Sequence, residues 1–193
     1  IKKINKVLFS HMHGDQTHGI NDLRTFYINS RKQINVYADK DTSEYLTNTF
    51  SYIFKSYSKE YPATLKLNKL PKNLFIKNNN KKISIQSIMV EHGKVKSNCF
   101  IINKKLAYIS DVIKIYDKDI KYFKKLKYLI IDFLWYNFHP SHFNLETFLT
   151  VVKKFKPKKP ILTNLSPVLD YKVLKKILPK YVAPAHDGLT INL

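Results

Sequence analysis

The segment Ser10-His-Met-His-Gly-Asp-Gln-Thr-His18 sets His11, His13, Asp15 and His18 within a few residues of one another. Neutral imidazole nitrogens and carboxylate oxygens are ligands for zinc, and also for manganese or iron. A His-X-His pair brings two imidazoles together in a turn. A third histidine from a distant strand would complete a three-histidine arrangement. A bridging aspartate would hold a second metal, and two metals share the activation of a water and the clamping of an oxyanion. Gln16 stands in the middle of this cluster although an amide is a poor zinc ligand. Further candidates lie downstream at His92, Asp111, Asp132, His139 and His142. A lone histidine such as His139 is more often a packing or surface residue, and His-X-His-X-Asp by itself arises by chance. The elements around these residues therefore have to supply the argument.

Those elements place the candidates at strand ends. Lys6–Ser10 reads as a short buried strand running into the histidine cluster, and 18–27 as a helix. Gln33–Ala38 alternates like a strand. A helix follows, capped by Asp41 or Thr42 and carrying Leu46, Phe50 and Phe54. Tyr61-Pro62 breaks the chain, residues 63–76 suggest short strands, and 78–80 a turn. Lys82–Glu91 is a strand ending at His92-Gly93. Residues 98–103 and 105–110 form a hairpin through Asn103-Lys104 that ends at Asp111. A helix is expected over 115–125. Tyr128–Leu134 is a continuous apolar run, the mark of a strand covered on both faces, with Asp132 inside it. Asn144 caps a helix to Phe155, Lys159–Thr163 is a strand, 170–178 a helix, and 181–183 and 189–192 are strands. The order is mixed α and β, with no internal repeat or linker, so the expectation is one domain over 1–193. Ligand candidates converging on one sheet edge are where a site is usually built.

Composition narrows the class. With 44% hydrophobic and 13% aromatic residues the chain can bury a substantial core. The single cysteine excludes an internal disulfide and a cysteine-rich zinc module, and it fits a reducing compartment. No apolar run is long enough to span a membrane, so a cytoplasmic protein is expected. The chain opens on Ile1 directly before a strand, which suggests that residues precede it. The net charge of +20 points to an anionic partner such as a phosphate ester or nucleic acid. Only Arg24 and Arg31 are arginines. The lysines are spread along the whole chain beside abundant Asn and Ile, and AT-rich coding explains most of the excess. A salt-dependent attraction for polyanions would remain.

With these residues in view, the chain resembles the metallo-β-lactamase fold hydrolases, in the branch that includes a cyclic phosphodiesterase and is related to tRNA 3′-processing nucleases. The resemblance rests on His11-Met-His13-Gly-Asp15-Gln16-Thr-His18-Gly19 with Asn21-Asp22-Leu23-Arg24, on 36–39, 90–93 and 107–111, on Ile131-Asp132 with His139–Phe143, and on 161–167 and 187–189. It implies an α+β fold, an αββα sandwich that here lacks its first strands. His11, His13 and His92 match a first metal site, Asp111 a bridging carboxylate, Asp15 the second site, and His142 a substrate-contacting histidine facing the scissile phosphate. Asp15, Asp111 and His142 are then the catalytic candidates. Two positions depart from the pattern. Gln16 and Asn164 stand where the family has second-site histidines, and Pro167 replaces another histidine nearby. His18 and His186 are weak candidates to stand in. One Zn2+ is expected rather than two, with Mn2+ as the alternative.

The function so implied is a metal-dependent phosphodiesterase acting on a cyclic or small phosphate ester through a zinc-activated water, with weakened activity. A catalytically impaired fragment or pseudoenzyme is a second reading. A basic RNA-binding or RNA-processing protein is a third, although no aromatic RNA-binding motif is visible in the sequence. β-Lactamase activity is the least supported, since a fold does not decide a function. The expected partners are a small phosphate-ester substrate, weakly bound nucleic acid and, as a candidate assembly, a second copy of the chain.

Overall fold

The computed structural model describes residues 3–78 and 81–193. The chain divides into two compact units, Ile1–Pro71 and Lys72–Leu193. The mixed α and β organisation expected from the sequence holds in both.

The first unit is a parallel sheet of β1 (Lys6–Leu8), β2 (Ile34–Ala38) and β3 (Leu65–Lys69), in that order. Parallel neighbours need crossover connections. Here these are the short α1 (Gly14–Thr17), a 3-10 segment (His18–Asp22) and α2 (Leu23–Ser30), then α3 (Lys40–Thr49) and α4 (Ser51–Phe54). The core joins Val36 and Leu65 of the sheet to Ile20, Leu23, Leu46 and Phe50. The helix expected over 18–27 becomes true α only from Leu23. The cap of α3 also differs from expectation. Asp39, extended at ψ −179°, accepts from Thr42 N–H at 2.9 Å. The helix begins as soon as β2 ends, which leaves Asp41 in its first turn, where a negative charge favours the helix dipole.

The second unit is a seven-stranded sheet. In chain order its strands are β4 (Asn73–Asn78), β5 (Lys81–His92), β6 (Val95–Ile102), β7 (Leu106–Ile109), β8 (Tyr128–Asp132), β9 (Lys159–Thr163) and β10 (Ala183–Pro184), and they lie side by side in that order. β4 to β7 form an antiparallel meander, and β7 to β10 are parallel. The β6–β7 hairpin turns at Asn103 and Lys104, both at positive φ (51° and 53°), as a two-residue turn with matching twist requires. Of the turn expected at 78–80, Asn79 and Asn80 lie outside the described residues.

α5 (Leu145–Phe155) is capped by Asn144, which accepts from Thr147 N–H at 2.8 Å. It buries Phe148, Val152 and Phe155 along one face, at the spacing of an amphipathic helix. α6 (Tyr171–Ile177) is capped by Asp170.

Two expected elements are corrected. The helix over 115–125 is a six-residue 3-10 segment, Asp117–Tyr122. Lys114 is bridged to Glu91 on one side, and Lys125 N–H is bonded to Phe155 O on the other, so both ends of the segment are tied to neighbouring elements. Residues 189–192 are not a strand. Leu189 N–H closes a turn on His186 O, and Lys127 Nζ holds Asn192 O.

Cys99 is fully buried on β6. Burial pushes its thiol well above the usual range, and its S–H donates to Ile88 O at 3.0 Å. The thiolate is the reactive species. Native protein should therefore resist a maleimide at neutral pH and label at once in urea. Fast labelling of the native chain would show that the β5–β6 core opens without global unfolding.

Candidate metal site

In the first unit the chain leaves the sheet at Ser10, after Phe9 N–H donates to Tyr37 O at 2.9 Å. Ser10 and His11 are buried. Ser10 Oγ donates to Gln16 Oε1 (3.3 Å) and lies 3.1 Å from His11 Nδ1. With its own proton spent on Gln16, the hydroxyl accepts from His11 Nδ1–H. That fixes the tautomer and leaves the lone pair of His11 on Nε2, which faces His13 Nδ1 at 3.1 Å. Thr17 Oγ1 donates to His13 O at 2.9 Å and closes the loop. The amide of Gln16 donates to Asp15 Oδ2 at 2.8 Å. Partial burial raises the Asp15 carboxyl. The Gln16 amide, the backbone and the two histidines outweigh burial and hold it below the usual carboxylate range. Gln16, which looked misplaced in the sequence, thus orients His11 through Ser10 and satisfies Asp15.

In the second unit the sheet does the positioning. β5 runs in the same direction as β7, β8 and β9, so their C-terminal ends share one edge. His92 ends β5, Asp111 lies just beyond β7, Asp132 ends β8 and Asn164 follows β9. His92 Nδ1 lies 2.8 Å from Ser141 O. A carbonyl only accepts, so Nδ1 carries the proton and Nε2 the lone pair. Gly93 makes this approach possible. Its φ is +59°, and a Cβ there would meet Ser141 Cβ at 2.9 Å.

Asp132 has no exposed surface. Its Oδ2 is 2.6 Å from His142 Nδ1 and accepts weakly from Val112 N–H (3.4 Å). Burial raises this carboxyl above its ordinary value, while His142, Val112 N–H and the Asn164 amide offset part of the effect. Asn164, at φ 60°, donates through Nδ2 to Asp111 Oδ1 (3.0 Å), Asp132 Oδ1 (3.3 Å) and Ser110 O. Three acceptors around one nitrogen settle which way the amide points. His142 Nδ1 is 3.6 Å from Asp111 Oδ1. His139 packs on His142 with ring centroids 4.9 Å apart. Burial and the neighbouring His142 charge lower its pKa, against a smaller opposing pull from Asp132.

Each of the six residues singled out as a candidate sits in one of these two clusters. His11, His13 and Asp15 form the loop of the first unit, and His92, Asp111 and His142 the sheet edge of the second. The sequence shows Asp132 as a carboxylate inside an apolar run with no role attached, and the structure makes it the partner of His142. The two possible stand-in histidines are engaged elsewhere. His18 Nε2 lies 3.1 Å from Tyr45 OH with its ring on Phe50, and His186 is exposed beside Tyr171.

The donor set suits a divalent cation. A ligand atom from each of His92, Asp111 and His142 lies within 4.8 Å of the other two. His92, with its Nδ1 on a fixed acceptor, and Asp111 are borderline nitrogen and oxygen donors of the kind that zinc or manganese takes, and His142 stands beside them with its Nδ1 on Asp132.

The family described as the Beta-lactamase superfamily domain matches residues 1–163. The chain belongs to that superfamily. Among solved structures it is similar to a diphosphatase of the PhnP family (TM-score 0.86, 24% identity, 100% of this chain and 73% of that one). It is also similar to the metallo-β-lactamase fold protein YhfI from Bacillus subtilis (TM-score 0.73, 16% identity, 96% and 76%). These likenesses bear out the metallo-β-lactamase fold expected from the motifs. A curated relative, an octanoyltransferase of Porphyromonas gingivalis, is 26% identical over 195 residues; the match takes in 98% of this chain but only 38% of that protein's length. Members of the superfamily are metal-dependent hydrolases. Among the described residues, no helix is long and apolar enough to cross a membrane.

The buried Asp132–His142 pair generates a stability prediction. His142→Ala leaves a buried carboxylate without its main partner and should cost roughly 3 kcal/mol at neutral pH. With His142 gone, the folded-state pKa of Asp132 rises further above the unfolded value of 3.8. A raised carboxyl contributes stability below its unfolded pKa and loses it as pH rises through the folded one. The gap between variant and native protein should therefore widen from pH 4 upward in urea denaturation. A gap independent of pH would show that Asp132 carries no charge in the native fold.

Proposed function

We propose that this superfamily member is a metal-dependent phosphoester hydrolase, a phosphodiesterase acting on a cyclic or small phosphate ester. By motif position its metal ligands are His11, His13 and Asp15 in the first unit and His92 and Asp111 in the second. The observation that carries the reading is His142, held at 2.6 Å on a buried carboxylate and 3.6 Å from Asp111. An imidazole so braced keeps one orientation and one tautomer, and it can donate a proton to a phosphate oxygen as general acid. Asp132 positions that ring and stabilises its protonated form. His139 and the Ser141 carbonyl fix the loop that carries it. When bound, the metal would supply Lewis acidity and lower the pKa of a water. The net charge of +20 favours an anionic substrate over a neutral one.

A second reading, an impaired member, is favoured by the two amides. Gln16 donates to Asp15, and Asn164 to Asp111 and Asp132, at the positions where the resemblance implies histidine ligands of a second cation. A neutral amide satisfies a carboxylate but supplies no Lewis acid. One zinc with weak turnover is the expected outcome.

The test is metal content by mass spectrometry on protein purified without a chelating tag, beside turnover of bis(4-nitrophenyl) phosphate and a 2′,3′-cyclic nucleotide. The expectation is about one zinc per chain, lost in His13→Ala and in His92→Ala. His142→Ala should keep the metal and lose roughly 100-fold in turnover. Gln16→His with Asn164→His should raise both metal content and rate. Zinc without turnover would leave the impaired reading, and protein that takes up no metal would end both.

A further inference from the structure

A cleft of about 360 Å³ lies wholly within the first unit, between α2, α4 and the loop that follows α4. None of the residues assigned to metal or to catalysis lines it. Its walls carry both arginines of the chain, Arg24 and Arg31, and four tyrosines, Tyr27, Tyr52, Tyr57 and Tyr61.

The arginines are the first argument. Lysine supplies nearly all of the 34 basic residues, and lysines are spread everywhere. A guanidinium differs from an ammonium in its planar fork of donors, which matches phosphate, and in its ability to stack on rings. Only one lysine, Lys59, joins the two arginines in this wall, so the pairing does not follow from a local excess of positive charge. The one carboxylate in the lining, Glu60, accepts from Ser58 Oγ at 2.6 Å, so it is occupied locally.

The tyrosines are the second. Tyr52, Tyr57 and Tyr61 are 54%, 65% and 69% exposed, an unusual display of large rings on one cleft. The loop presenting two of them is already built. Tyr57 N–H donates to Tyr61 O at 3.0 Å, Ser58 Oγ accepts from Glu60 and Tyr61 N–H, and Ser56 Oγ accepts from Ala63 N–H. Tyr52 is steadied by its hydroxyl on Asn21. Exposed rings that stack on a base, beside cations that take its phosphate, are the two halves of single-strand recognition. The volume lies within the range of small-molecule sites.

We propose that this cleft binds a nucleotide, with its phosphate on Arg24 and Arg31 and its base against the tyrosines. The nucleotide is either free or part of an RNA strand. This site stands independently of the hydrolase reading, and its loss would leave the metal content unchanged.

The test is binding of AMP, an oligoadenylate pentamer and inorganic phosphate by calorimetry at 150 mM salt, which screens the diffuse lysine field. Arg24→Gln with Arg31→Gln should weaken AMP and the pentamer by about tenfold or more, and Tyr57→Leu with Tyr61→Leu should weaken them similarly without changing phosphate binding. Arg24→Lys with Arg31→Lys keeps the charge and should still lose several-fold, because the fork is gone. Lys175→Gln with Lys176→Gln removes the same charge from α6 and should leave binding unchanged. AMP binding as tightly as the pentamer assigns the site to a free nucleotide, and a much tighter pentamer assigns it to RNA. Equal losses from the arginine and lysine pairs, or tyrosine variants that bind like the native chain, would overturn the proposal. All the altered side chains are exposed, and unchanged thermal unfolding confirms that each variant is folded.

Discussion

A carboxylate with no exposed surface, Asp132, constrains the second unit more than any other group. An ion inside an apolar strand is tolerated only if donors reach it. They arrive from three separate segments: His142 from the 139–143 loop, Val112 N–H from beyond β7, and the Asn164 amide from beyond β9. Each reaches Asp132 only in the observed register, with Ile109 beside Ile131 and Asp132 beside Thr163. A slip of one residue would turn Asp132 to the other face of the sheet and bring none of the three along. The precision of the candidate site is thus inherited from strand pairing in the core.

The histidines are oriented by the same logic in both units. His11 gives its Nδ1 proton to Ser10, whose own proton is spent on Gln16, and His92 gives its Nδ1 proton to the Ser141 carbonyl. In each case a partner outside the ligand set decides which ring nitrogen keeps its lone pair. Gly93 belongs to this second arrangement, because any side chain there would push Ser141 away and release His92.

What was legible in the sequence follows from this. His11, His13, His92 and Asp111 could be singled out as candidates because ligand-type residues at strand ends are a local signal, and the amphipathic spacing of α5 is another such signal for its helix. The pairing of His142 with Asp132 was not legible, since it depends on a loop folding back onto its own strand. The cap of α3 was misplaced because Asp39, Asp41 and Thr42 are all acceptable cap residues, and only the end of β2 decides among them. Asn164 and Gln16 read as missing ligands because residue type reveals what a position cannot coordinate but not what it donates to. The arginine and tyrosine cleft was invisible for a further reason. Its residues are scattered between 20 and 64, and only the folding of α2, α4 and the following loop gathers them.

The amides of Gln16 and Asn164 also decide how the acids are held. Most other residue types at these two positions would leave Asp15 in the first unit, and Asp111 and Asp132 in the second, without these donors. Each amide carries an N–H at hydrogen-bond distance from a carboxylate: 2.8 Å in the first unit, 3.0 and 3.3 Å in the second. An amide holds the carboxylate in place and satisfies its lone pairs, but it leaves the net negative charge standing. Burial still raises the carboxyl of Asp132 despite the donors that reach it. The amides thus fix the geometry of the acids without neutralising their charge. Each acid thus keeps an N–H partner, and the β8–β9 register that sets Asp132 beside Thr163 is what brings the Asn164 amide within reach.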